Sequence, residues 1–360
     1  MKTGIANLPL HYGRAPAWLF SRMRELARQI TIVIVTEFGQ KEMLRRLSDP
    51  FWFQAFGCIL GFDWHSSGLT TTVCGALKEG IKGLEKDLGL FVAGGKGRVS
   101  RQTPLEIQEL AQRYPISVNP RNLIYSSRMA AKVDSAALQD GYQLYHHCFI
   151  FTREGSWAVI QQGMNEVTRY ARRYHWLSED LKSFVCEPHS AICCNQRGRA
   201  LNMVAQESEE TRLLATVLSR EKPDKVISEV KRLKELNLPS SHRPFVQDLR
   251  IDFFEKNLIK IYEKQPTDFE ELLAVKGVGP KTIRALALIS ELIYGTNLSF
   301  RDPVKYSFAH GGKDGYPYPV DRQGYDKSIQ IIQRAISEAK IGRREKIEAL
   351  KRLKNIFTID

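Results

Sequence analysis

Residues 267–287 have the sequence TDFEELLAVKGVGPKTIRALA, and they decide how the second half of the chain is organised. Thr267 stands where it can cap a helix whose third position is Glu270, an arrangement called a capping box. An apolar face follows, and Gly277-Val278-Gly279 then interrupts the helical pattern. Pro280 suits the first turn of a second helix. The stretch therefore predicts two helices joined by a tight turn, a helix–hairpin–helix.

A helix–hairpin–helix is a typical DNA-binding unit. Its glycines let the backbone approach a strand, and amides at the start of the second helix point at phosphate oxygens. We therefore expect DNA as the partner. The predicted DNA-contacting residues lie in and after the turn, and in a glycine-rich loop further along: Lys276, Gly277, Val278, Gly279, Thr282, Arg284, His310 and Lys313. The alternatives are a helix pair that only packs internally, and a loop that is only a connector.

The same segment resembles the helix–hairpin–helix of the endonuclease-III-type DNA glycosylase superfamily. In bifunctional members, the lysine just after the turn is a Schiff-base nucleophile, and Lys281 stands at that place. A Val-Asp pair then opens a further helix, and Asp321 matches the aspartate that assists glycosidic cleavage. The resemblance implies a DNA glycosylase with AP-lyase activity that needs no cofactor. Lys281 would be the nucleophile, and Asp321 would stabilise the oxocarbenium-like charge.

The chain also departs from that superfamily. The stretch between Lys281 and Asp321 is longer than usual, and it holds an insert, Phe300 to Tyr318. The four-cysteine iron–sulfur pattern is absent, and Arg322 stands where a histidine often follows the aspartate. A lysine after such a turn also occurs in hairpins that only touch phosphate.

The first half of the chain predicts a mixed α/β domain. Its clearest feature is a β-hairpin with strands at 147–152 and 156–162. The run ITIVIV at 30–35 predicts a buried strand because it is rich in β-branched residues. Residues 128–146 are predicted to be helical, and a basic helix is predicted at 166–176.

The composition changes near residue 205, after which Glu, Lys and Leu dominate and the periodicity becomes helical. We therefore expect an α/β domain over residues 1–205. An all-α domain follows over residues 206–360, and it contains the helix–hairpin–helix. A Gly-, Pro- and Tyr-rich insert at 296–323 interrupts that helical domain.

The predicted β-hairpin also suggests a metal site. Asp140 precedes it, and His146 and His147 lead into its first strand. Such residues hold Mg²⁺ or Mn²⁺ in many nucleases, which makes these three catalytic candidates for a metal-dependent DNA nuclease. The usual acid-x-lysine on the second strand is missing, since Gln161-Gln162 stands there. The alternative for these residues is a hydrogen-bonded interior with a tautomer-fixed histidine.

The charge balance favours a polyanionic partner. Lys and Arg number 53 against 40 Asp and Glu, which gives a net charge of +13. Basic proteins often bind phosphate backbones, although solubility alone also explains such a charge. Apolar residues make up 43% of the chain and charged residues 26%, which excludes a largely disordered protein.

Other sequence features bear on location. No apolar run is long enough to span a bilayer, so we expect no membrane partner. Residues 1–16 lack a continuous apolar stretch and a small-residue cleavage site, which predicts a cytoplasmic protein without a signal peptide. The six cysteines form no CxxC pair, and we expect buried thiols. Nothing in the sequence indicates the oligomeric state.

The whole chain is similar to an uncharacterised prokaryotic family catalogued as domain of unknown function 763. The similarity rests on long strings such as GIANLPLHYGRAPAWLF (4–20), DPFWFQAFGCILGFDWHSSG (49–68) and FAHGGKDGYPYPVDR (308–322). It implies a bacterial or archaeal origin, and it supplies no function. The sequence therefore leaves three hypotheses: a DNA repair enzyme with glycosylase/AP-lyase activity, a metal-dependent DNA nuclease, and a non-catalytic DNA-binding repair protein.

Overall fold

The structure is a computed structural model of the chain. It describes residues 8–10, 15–63, 65–194, 196–236, 238, 242, 251–304 and 322–357. Three predicted site residues, His310, Lys313 and Asp321, lie outside the described residues.

Helices dominate the region before the first strand. They are α1 (Ala17–Phe38), α2 (Gln40–Ser48), α3 (Pro50–Leu60), α4 (Gly68–Ile81) and α5 (Glu85–Leu88). The prediction of a strand at 30–35 is wrong, because α1 runs through it without a break. Met23, Ala27, Ile30 and Ile34 are buried at helical spacing, so the β-branched run extends an amphipathic helix. Packing of this face on neighbouring helices outweighs the β-propensity.

A five-stranded antiparallel sheet lies at the centre, in the order β1-β3-β4-β5-β6. Its strands are β1 (Leu90–Lys96), β3 (Gln143–Thr152), β4 (Trp157–Asn165), β5 (Tyr170–Leu177) and β6 (Ala191–Cys193). The predicted β-hairpin is confirmed as β3 and β4. The helix predicted at 166–176 is wrong, since most of that segment is β5. The arginines of the predicted basic helix lie on this strand, where Arg172 and Arg173 are fully buried and hydrogen-bonded.

Two helices and a π-helical turn connect β1 to the rest of the sheet. They are α6 (Thr103–Arg113), α7 (Pro120–Lys132) and the turn Val133–Ala137. The helix predicted at 128–146 is therefore right only as far as residue 137, because the chain then enters the short strand β2 (Leu138–Gln139) and β3. Asn119 accepts a hydrogen bond from the Arg121 amide and fixes the start of α7.

The remaining elements are mostly helical. They are β7 (Arg199–Asn202), α8 (Glu209–Ser219), α9 (Pro223–Glu235), α10 (Ile251–Lys264), α11 (Phe269–Ala274), α12 (Pro280–Leu292), β8 (Ser299–Arg301), α13 (Arg322–Glu338) and α14 (Arg343–Phe357). Strand β8 pairs with β7, so the segment predicted as all-α contributes a strand to a second antiparallel sheet, β2-β7-β8.

The large sheet separates two apolar layers. On one face, Val92, Ile150 and Ile160 pack with α1 to α4, α13 and α14. On the other face, Phe149 and Trp157 pack with helices from α6 to α12. The second layer is continuous across residue 205. The protein is therefore a mixed α and β protein with antiparallel sheets. No helix in the described part of the chain is long and apolar enough to cross a membrane.

Candidate functional site

A cleft of about 760 Å³ opens on the face of the large sheet that carries α6 and α7. Strands β3 and β4 form its floor, α7 and the start of α6 form its walls, and Ala274 at the end of α11 borders it. The polar or charged lining residues are Ser100, Arg101, Thr103, Arg121, Tyr125, Ser127, Arg128, Lys132, Ser135, His146, His147 and Gln161.

The charge in this cleft is of one sign. Arg101, Arg121, Arg128 and Lys132 line it, and no aspartate or glutamate does so among the described residues. The three arginines form no ion pair within the described ranges. Burial lowers the pKa of Lys132. Such a surface attracts anions, because its positive charges are not already neutralised by the protein.

A chain of hydrogen bonds crosses the floor of the cleft. Ser127 Oγ lies 2.8 Å from His147 Nε2, and His147 Nδ1 lies 2.9 Å from Gln161 Oε1. Gln161 Nε2 donates to Asp134 Oδ2 at 2.5 Å and to the Ala130 carbonyl at 3.3 Å. Because the Gln161 amide NH₂ faces two acceptors, its oxygen must face His147. Nδ1 therefore carries the imidazole proton, and Nε2 presents its lone pair to Ser127.

Asp134 anchors the far end of this chain. It is buried in the π-helical turn after α7, accepts a hydrogen bond from Trp176 Nε1 at 3.0 Å, and also contacts His189 Nε2. These contacts hold the carboxylate, which in turn fixes the amide of Gln161. Burial lowers the pKa of His147, while Gln161 and Asp134 act in the opposite direction. His147 is therefore neutral near pH 7, the form that can accept a proton.

The adjacent histidines His146 and His147 differ in the face of the sheet that they occupy and in their hydrogen bonds. Successive residues of a strand face opposite sides, and His147 shares its face with Phe149 and Gln161. His146 borders the cleft, but the alternation directs its ring to the opposite face, that of Gln162. Within the described chain neither of its ring nitrogens has a hydrogen-bond partner. Burial lowers its pKa to about 3, with smaller contributions from His147 and Lys96.

The third catalytic candidate of the predicted metal site, Asp140, lies in a separate cluster. It forms a fully buried ion pair with Arg172 at 2.8 Å and accepts a hydrogen bond from Tyr174 at 2.7 Å. Arg172 also pairs with Asp302 at 2.8 Å. In the described part of the chain, no three His, Cys, Asp or Glu side chains are placed to hold a metal ion. The structure therefore does not bring Asp140 together with the histidines.

A glycine in β1 allows the wall of the cleft to come close to its floor. Gly94 has φ +89°, and a Cβ atom there would overlap the His147 carbonyl and lie 2.5 Å from Thr103 Oγ1. Glycine is required here because it adopts positive φ without strain and has no Cβ to meet the His147 carbonyl on the neighbouring strand. Its amide donates to Glu106 Oε2 at 2.6 Å, which ties β1 to α6. The glycine-rich sequence at 94–97 thus belongs to the structural frame of the cleft.

The segment 267–287 forms α11, a turn at 275–279 and α12. Gly277 has φ +101°, and a Cβ there would meet Asn257 Oδ1 at 2.7 Å, so this position requires glycine. The cap of α11 differs from the predicted box by one residue. Asp268 accepts from the Glu271 amide at 2.8 Å, and Glu271 accepts from the amide of Thr267.

This helical pair is attached to the wall of the cleft. Lys132 Nζ donates to the Val278 carbonyl in the turn. Gln139 Nε2 donates to the Pro280 carbonyl at 2.9 Å, and Arg284 Nε donates to Gln139 Oε1 at 2.7 Å. Tyr125, which lines the cleft, donates to Glu270 at 2.6 Å. The turn that the sequence assigned to DNA contact is therefore bonded to a residue of the cleft.

The other predicted DNA-contacting residues differ in exposure. Lys276 and Lys281 are exposed on either side of the turn, whereas Thr282 is buried. Lys281 is not part of the cleft lining. Sequence reasoning missed Ser127 and the cations of α7. Nothing in the linear spacing connects Ser127 to His147, because only the packing of α7 across β3 and β4 brings them together.

Comparison with known proteins adds one finding. No curated protein and no solved structure matches the chain. One family model matches residues 4–320, and its description is protein of unknown function, DUF763. Since that match spans most of the 360 residues, the chain belongs to the DUF763 family.

Proposed function

We propose that the protein is a DNA-binding, DNA-processing enzyme and that the cleft beside α7 is its active site. The observation that carries the proposal is the lining: four cations, no carboxylate among the described residues, and a direct bond from Lys132 to the turn at 275–279. A cleft with this charge favours a polyanion, and the turn carries the predicted phosphate-contacting backbone.

The chemistry available in the cleft is proton transfer. His147 is neutral, has a fixed tautomer, and directs Nε2 at Ser127. A positioned neutral histidine is a general base. The cations of the lining are suited to stabilise the negative charge that develops when a phosphodiester is attacked. These features support cleavage at the DNA backbone.

A second candidate is the glycosylase/AP-lyase activity that the sequence resemblance implies. The observation in its favour is that Lys281 is exposed in the first turn of α12. A lysine amine forms Schiff-base intermediates when it acts as a covalent nucleophile. Its predicted partner, Asp321, lies outside the described residues. Borohydride trapping of a covalent protein–DNA adduct, lost in Lys281→Gln, would identify this activity.

The testing experiment is strand cleavage on labelled DNA. The panel holds undamaged single- and double-stranded DNA and duplexes with uracil, 8-oxoguanine or an abasic site, each with Mg²⁺, Mn²⁺ or EDTA. We expect cleavage that disappears in His147→Gln and survives Lys281→Gln. The control is Lys82→Gln, an exposed cation outside the cleft.

Other outcomes separate the alternatives. Cleavage that needs Lys281 but not His147 would move the active site to the turn. Cleavage abolished by EDTA would favour a metal-dependent nuclease. DNA binding without cleavage on any substrate would favour a non-catalytic DNA-binding protein, and absence of DNA binding would refute the proposed function altogether.

A further inference from the structure

Ser127 is the side chain of the cleft that stands closest to a general base. It lies on α7, only 2% of its surface is exposed, and it still lines the cleft. Its hydroxyl is 2.8 Å from His147 Nε2. A serine hydroxyl is a weak nucleophile on its own, and a histidine within hydrogen-bonding distance activates it.

The direction of the hydrogen bond follows from the rest of the chain. His147 Nδ1 must donate to Gln161, because the Gln161 NH₂ group is already directed at Asp134 and at the Ala130 carbonyl. Nε2 is therefore an acceptor, and the Ser127 hydroxyl donates to it. Nucleophile, base and orienting group thus stand in the order typical of hydrolases with a serine–histidine pair. Gln161 takes the orienting place, and Asp134 fixes Gln161.

We propose that Ser127 is the nucleophile of this site, and that it attacks the phosphorus of a DNA phosphodiester with His147 as general base. This inference rests on the proposed function. The cations of the cleft select the substrate class: a phosphodiester carries the negative charge that Arg128 and Lys132 attract, whereas a neutral carboxylic ester does not. Gln161 and Asp134 are positioning residues, because they act through His147.

The reaction balances without a metal or a redox partner. Ser127 Oγ forms a bond to phosphorus, its proton passes to His147 Nε2, and the bond from phosphorus to the leaving nucleoside oxygen breaks. The imidazolium returns that proton to the leaving oxygen, which becomes a hydroxyl. Water then attacks the serine-bound phosphorus, His147 accepts its proton, and the proton returns to Ser127 as the Oγ–P bond breaks. One phosphodiester and one water are consumed.

The experiment uses diisopropyl fluorophosphate on the full chain. Attack on this probe forms the same Oγ–P bond and expels fluoride. Peptide mass spectrometry locates the adduct, which we expect on Ser127. Ser126→Ala is the matched control, since Ser126 precedes Ser127 on α7 and does not line the cleft. Labelling should disappear in Ser127→Ala, remain in Ser126→Ala, and slow by about 100-fold or more in His147→Gln.

A second measurement tests the substrate class. Labelling is repeated with increasing duplex or single-stranded DNA, and DNA binding is measured separately by fluorescence anisotropy. Slower labelling in the presence of DNA supports the phosphodiester substrate. Labelling of Ser127 that DNA does not slow would overturn that substrate class.

The two proposals fail in different ways. An unlabelled Ser127 in a chain that binds and cleaves DNA would overturn the inference and leave the proposed function standing. Absence of DNA binding together with a labelled Ser127 would overturn the proposed function and the DNA substrate, and would support only the activated serine. Ser127→Ala removes only one hydroxyl, so its thermal unfolding should match that of Ser126→Ala to within a few degrees.

Discussion

Neutralising two arginines of the cleft should change the salt dependence of DNA binding. The perturbation is the double variant Arg121→Gln and Arg128→Gln. Both side chains are exposed on α7, both line the cleft, and neither forms an ion pair within the described chain. Glutamine keeps most of the side-chain length and removes the charge, so the fold should be retained.

The expected change in the salt dependence of DNA binding follows from counterion release. Each phosphate neutralised on duplex DNA adds about −0.9 to the slope of log K against log salt concentration, so the four cleft cations account for about −3.6. The double variant should lose about 1.8 of that slope. Between about 50 and 200 mM salt, the cleft contribution to affinity falls roughly 150-fold in the parent chain and roughly 12-fold in the variant. Contacts at the turn add equally to both slopes.

The assay is fluorescence anisotropy with a labelled duplex at four or more salt concentrations. The matched control is Lys82→Gln with Lys86→Gln, two exposed cations that lie outside the cleft. We expect the control to keep the parent slope. If the cleft variant and the control change the slope equally, or if neither changes it, the cleft does not hold the DNA backbone and the reasoning is refuted.

Three further predictions concern stability and the frame of the site. Arg172→Met leaves the carboxylate of Asp140 buried without its ion-pair partner and should lower the free energy of unfolding by about 3–5 kcal/mol in urea titrations. The control Arg45→Met breaks an exposed pair and should cost less than about 1 kcal/mol; equal losses would contradict the buried pair. Gly94→Ala should lower the melting temperature of the protein more than Gly83→Ala does. Both positions have positive φ, which strains an alanine by roughly 1–2 kcal/mol at either site, but of the two only Gly83 leaves open space for a Cβ. The reverse order of melting temperatures would contradict the close contact between Gly94 and His147. Acid should destabilise the protein, because burial lowers the pKa values of His146, His147 and His175. The unfolded chain binds these protons near pH 6.5 and the native chain does not, so stability falls as the pH drops below that value, by up to about 1.4 kcal/mol per pH unit for each histidine. A urea midpoint that stays constant from pH 7 to pH 5 would refute this.

The fold could be predicted from the sequence where local pattern and burial agree. The β-hairpin of β3 and β4 was predicted because its alternation and its turn residues point the same way. The run at 30–35 was mistaken for a strand because β-propensity is a weak signal against the packing of a 22-residue amphipathic helix. Strand β5 was missed because arginines usually indicate solvent, and the buried partners Asp140 and Gln54 are far away in sequence.

The site was predictable only in part, for a similar reason. His147 stood out because it leads into the predicted hairpin together with His146, close after Asp140. Ser127 and Gln161 are ordinary residues in sequence, and they acquire a role only from their distance to that histidine. The cations of α7 are equally ordinary, because a helix with arginines on one face usually meets water. Their meaning depends on the absence of carboxylates around them, which only the described three-dimensional structure shows.

Helices α13 and α14 complete the apolar layer that helices α1 to α4 form on one face of the large sheet. Ile331, Ile332, Ile336 and Leu353 are buried in the same cluster as Ile30 and Trp52. Helix α13 contacts α1 and α14 contacts α3, so these faces stay exposed during synthesis until both late helices have been made. The layer around α1 therefore reaches its final packing only after α13 and α14 have been made, and its contacts join residues far apart in the chain. Contacts of this separation form slowly, so we expect α1 to depend on chaperones in the interval.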